Sequence, residues 1–66
     1  MLWLSEIMLE NFDLNTFEEL KQKVREKAAN GEMFFRMDVK PTYPDTPDNW
    51  EDRLEAVFTS ALDQRH

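Results

Sequence analysis

The 66-residue chain has no cysteine, a single glycine, a single histidine and three prolines. Without cysteine it can form neither disulfides nor the thiolate zinc sites that often hold small domains together, and it has no thiol nucleophile. The absence fits a reducing compartment. The opening residues Met1-Leu2-Trp3-Leu4-Ser5-Glu6 carry no basic stretch, and Glu6 and Glu10 interrupt the apolar residues that follow. This stretch therefore reads as neither a signal peptide nor a membrane span, and a cytoplasmic protein without a membrane partner is expected. The lone imidazole, His66, stands at a chain end where nothing holds a general base in place, and neither Ser5 nor Ser60 has a base to activate it. Catalytic residues, an enzymatic activity and a cofactor are not expected.

At this length about 60% of the surface of the unfolded chain is buried on folding, so stability is marginal and self-association is one way to raise it. Charge is spread unevenly along a chain of net charge -6. Residues 1–20 hold five acids and no base, residues 21–40 six bases and three acids, and residues 41–66 six acids and two bases. The two acidic ends can face the basic middle within the fold, or they can offer an acidic face to a basic partner.

Two helices are legible from local signals. Thr16 and Glu19 have the spacing of a capping box, Glu18 and Glu19 suit the positive end of a helix dipole, and Asn30-Gly31 supplies a terminator, which predicts a helix over about 16–29. Phe17, Leu20, Val24 and Ala28 form its apolar stripe, flanked by Lys21, Lys23, Arg25 and Lys27. Thr46-Pro47 reads as a cap followed by proline at the first helical position, which predicts a second helix over about 47–63 with fraying from Gln64. Trp50, Leu54, Val57, Phe58, Ala61 and Leu62 line its core side. Between them, Met33, Phe35, Met37 and Val39 alternate with Phe34, Arg36, Asp38 and Lys40, the period of a strand over about 33–39. Prolines at 41, 44 and 47 make residues 41–46 a stiff proline loop.

Residues 2–10 are apolar enough for a strand, with a short helix after Ser5 as the competitor. The strand over 33–39 needs a hydrogen-bonding partner, and that requirement favours a strand at 2–10. The expected fold is a single small α+β or α/β domain in β-α-β-α order. Two helices would pack on one face of a small sheet, which a second chain could complete.

Function is read from surfaces. Asp48, Glu51, Asp52 and Glu55 recur along one helical side, a spacing that suits oxygen ligation of a divalent cation but lacks the order of an EF-hand loop. The row reads as a solvated face, and no metal site is expected. The net negative charge argues against direct nucleic-acid binding. The leading expectation is a small acidic, non-enzymatic module that binds or inhibits a protein partner, one with a basic surface. Phe34, Arg36, Tyr43, Asp45, Asp48, Glu51, Asp52 and Glu55 are the candidate contact residues. Trp3, Trp50 and Phe58 are assigned to the core. The alternatives are a self-assembling homodimeric subunit and an inhibitor whose carboxylates imitate phosphates toward a nucleic-acid-handling protein.

Overall fold

The computed structural model describes residues 1–63, so the expected fraying at Gln64 and the reading of His66 lie outside the described residues. The elements run β1 (Leu2–Trp3), α1 (Leu4–Glu10), α2 (Phe17–Ala29), β2 (Phe35–Arg36) and α3 (Trp50–Asp63). The fold is mixed α and β, with a two-stranded parallel sheet that pairs Leu2 with Phe35 and Trp3 with Arg36. No helix among the described residues is long and apolar enough to cross a membrane.

The expected strand over 2–10 is a correction, because only Leu2 and Trp3 are extended and the chain enters α1 at Leu4. Leu4, Ile7 and Met8 recur with helical spacing, and Leu4 and Ile7 are buried completely, so a helix buries this segment's apolar side better than a strand would. The β-α-β-α order becomes β-α-α-β-α, with three helices among the described residues where two were expected. The strand expected over 33–39 shrinks to two residues, since β1 offers only two partners. Phe35 and Met37 still pack against the core as the alternation implies, whereas Met33 is 64% exposed.

Helix α2 forms as its signals dictate. The Glu19 N–H donates to Thr16 Oγ1 at 3.1 Å, and Glu19 Oε1 accepts from the N–H groups of Thr16 at 3.1 Å and Asn15 at 2.9 Å. At the other end the Gly31 N–H donates to Ala28 C=O and the Glu32 N–H to Lys27 C=O, each at 3.3 Å, so two terminal carbonyls are satisfied. This wrap needs Gly31 at φ 121°, a conformation that L side chains rarely adopt.

The proline loop is a turn more than a rod. The Thr46 N–H donates to Tyr43 C=O at 3.0 Å, which places Pro44 and Asp45 at the two corners of a β-turn, while Pro41 is fully buried. The Thr46 hydroxyl does not cap the last helix: its oxygen is shielded from solvent and finds no hydrogen-bond partner among the described residues. Helix α3 accordingly begins at Trp50, later than the Thr46-Pro47 signal implied, with the Asn49 C=O accepting from the Arg53 N–H at 3.1 Å.

Packing between α2 and α3 dominates the tertiary contacts. Phe17, Leu20, Val24 and Ala28 of α2 meet Trp50, Leu54, Phe58 and Ala61 of α3, with Leu2, Leu4 and Ile7 completing one apolar cluster. Among the described residues no polar or charged side chain is buried in it. Trp3, expected in the core, is only half-buried, because the face it shares with Arg36 points away from the cluster that holds Leu2.

Leu54 has no exposed surface, so Leu54→Ala is expected to cost about 2–5 kcal/mol, much of the stability of a domain this small; a urea titration followed by circular dichroism measures it. Gly31→Ala meets no neighbouring atom and acts through the backbone alone. The same titration should show a loss of about 1 kcal/mol or more, and an unchanged midpoint would mean that the turn after α2 relaxes freely.

Candidate functional site

Two aspartates in the stretch between β2 and α3 are committed to the fold. The N–H groups at the start of a helix have no intrahelical acceptor, and Trp3, which precedes α1, supplies no side-chain cap. Asp38 supplies it from across the molecule: Oδ1 accepts from the Ser5 N–H at 3.1 Å and Oδ2 from the Ser5 hydroxyl at 2.6 Å. Asp45 does the same for α2, accepting from the Phe17 N–H at 2.5 Å and the Glu18 N–H at 3.3 Å. Each carboxyl is held below its ordinary pKa. For Asp38 the leading cause is the Ser5 hydroxyl, followed by the Ser5 N–H. For Asp45 it is the Phe17 N–H, assisted by the Glu18 N–H and the charge of Lys21 against an opposing effect of burial.

Other expected contact residues are also occupied internally. The Arg36 guanidinium lies 5.5 Å from the centroid of the Trp3 ring, in cation–π range. Tyr43 is half-buried and packs against the core; burial, and then the negative charge of Glu19, push its phenol pKa up. The basic residues of α2 are largely matched by acids: Lys21 with Glu18 at 2.8 Å, Lys23 with Glu26 at 3.5 Å and Lys27 with Glu10 at 3.8 Å.

Phe34, Asp48, Glu51, Asp52 and Glu55 remain exposed. The structure brings Phe34 and Glu55 to one place, a groove of about 390 Å³ between β2 and α3. Met33, Phe35 and Met37 line it from the strand side, and Phe58, Thr59 and Leu62 from the helix. Its floor is tied down by Phe35 and Phe58, whose rings stack with centroids 5.3 Å apart. Met33 and Phe34, 64% and 66% exposed, are large apolar side chains left in water. Sequence reading placed Met33 on the covered face and so missed it; its position two residues before the short ladder begins is what leaves it uncovered.

A smaller, more polar cleft of about 250 Å³ lies among Phe17, Glu18, Lys21, Asp45, Pro47 and Arg53. The start of α2 that it borders is already held by Asp45. A second exposed apolar pair, Leu9 at 78% and Phe12 at 89%, lies at the end of α1 and in the turn after it. Among the described residues no three imidazole or carboxylate groups converge in a way that could hold a metal ion. Compared with known proteins, the chain matches no protein family, no curated protein and no solved structure.

The two caps carry a pH dependence whose sign follows from their lowered pKa values. A carboxyl with a depressed pKa in the folded state stabilises the fold above its ordinary value, and that contribution is lost as pH falls through the folded-state pKa. Urea midpoints are expected to decline below about pH 5, and to decline less steeply in Asp38→Asn/Asp45→Asn, which starts lower at neutral pH. Parallel declines in the two proteins would show that other carboxylates carry the acid sensitivity.

Proposed function

We propose that the protein is a small, acidic, non-enzymatic interaction module that acts by non-covalent occupation of another protein. The observation that carries this reading is the groove between β2 and α3, where the exposed Met33 and Phe34 stand beside Glu55 in an acidic row. Uncovered aromatic and methionine side chains next to charge are the composition of contact surfaces, in which a few large apolar anchors supply most of the affinity and charge sets orientation and rate. Phe34 is the anchor, with Glu51, Asp52 and Glu55 as the electrostatic border. Arg36, Tyr43 and Asp45 serve the fold in this reading, because each is already engaged by Trp3, the core or α2. The lack of cysteine supports a cytoplasmic setting.

Affinity capture from native lysate with the wild-type chain, Phe34→Ser and the triple reversal Glu51→Lys/Asp52→Lys/Glu55→Lys tests it, with thermal melts confirming that each variant is folded. A partner retained by the wild type should be lost with Phe34→Ser and weakened by the reversal, most at low salt. Identical captures by all three folded proteins would defeat the proposal.

A further inference from the structure

The groove lies beside an unpaired strand edge. The Leu2 N–H donates to Phe34 C=O at 2.8 Å, and Leu2 stands opposite Phe35. In a parallel ladder of this register Phe35 turns its own N–H and C=O to the far side, and among the described residues no further strand pairs there. A two-stranded sheet with two residues per strand gains from another strand, because each added main-chain pair satisfies exposed donors and acceptors.

Charge decides what kind of strand. Glu55 lines the groove, Glu51 lies one turn before it and Asp52 three residues before it, all exposed, and among the described residues no basic side chain lines the groove. Arg36 is held over Trp3, on the sheet face opposite Phe35, and Arg53 lines the other cleft. A second copy docked edge to edge would bring its own Glu51, Asp52 and Glu55 toward this row, in a chain already at -6.

Resting on the interaction-module reading, we propose that the free edge of β2 accepts an extended segment of another protein. That segment is apolar on the side that enters the groove and carries lysine or arginine where it passes Glu55. Its backbone extends the sheet beside Phe35, alternate side chains settle among Met33, Met37, Phe58 and Leu62, and its cation neutralises an acidic border that no basic group lining the groove matches among the described residues.

The probe is an eight-residue peptide alternating valine and lysine, titrated into the ¹⁵N-labelled full chain at low salt. Controls are a valine–glutamate counterpart and a version N-methylated at alternate residues, made in both phases. Saturable shifts of the Phe35, Arg36 and Met37 amides together with those of Glu55 to Leu62 are expected. They should weaken with salt and vanish with glutamate and with one phase of N-methylation, and Glu55→Lys should reduce affinity about tenfold. No shift with any peptide, shifts confined to Leu9 and Phe12, or equal binding of the glutamate peptide would overturn the proposal. Concentration-dependent shifts of the same amides without peptide would also overturn it, assigning the edge to a second copy. Lysate partners that depend on Phe34 but are indifferent to Glu55→Lys and to salt leave the interaction module standing and remove the basic strand alone.

Discussion

Among the described residues, two of the three helices start with backbone N–H groups that their own flanking sequence satisfies incompletely, and the carboxylates that satisfy them come from a single stretch of chain. Asp38 reaches the start of α1 and Asp45 the start of α2. The segment between β2 and α3 is therefore more than a connection, since it ties both N-termini to the point from which α3 departs. Carboxylate acceptors suit this position because they also complement the positive end of each helix dipole. With no cysteine and no buried polar side chain among the described residues, these long-range caps and the apolar cluster are what align the three helices.

The same economy defines the surface. Carboxylates and aromatics that looked interchangeable as candidates for contact divide into those that the fold consumes and those that it leaves in water. Asp45 and Tyr43 are consumed, as is Arg36 above Trp3, while Phe34 and the acids of α3 are left over. The leftover groups gather beside a strand too short to complete a sheet. A two-residue ladder joins β1, which leads into α1, to β2, yet it leaves an edge and a groove that the described residues do not fill.

What was legible in the sequence was local. The capping box of Thr16 and Glu19, the terminator at Gly31 and the stripe from Phe17 to Ala28 each act within a few residues, and α2 follows them at both ends. The core side of α3 was legible for the same reason, since Trp50, Leu54, Phe58 and Ala61 recur at helical spacing. Its starting point was not. Thr46-Pro47 has the form of a helix start, but the chain makes a turn from Tyr43 to Thr46, the Thr46 hydroxyl bonds no helix N–H among the described residues, and the helix begins at Trp50. Residues 4–10 carried an apolar density that strand and helix share, and the group that caps the helix stands 33 residues away.

By itself, then, the sequence determined the chemistry available: an acidic chain without thiols, two amphipathic helices, an apolar-alternating segment around Phe35 and a row of acids from Asp48 to Glu55. Tertiary structure alone decided that Leu4–Glu10 is helical, that Asp38 and Asp45 are caps, and that Phe34 and Glu55 meet at one groove. The physical reason is range. Periodicity and capping boxes act between residues that are close along the chain, whereas the acceptor a helix start finds, and the side chains a short strand fails to cover, depend on which distant segments packing brings alongside.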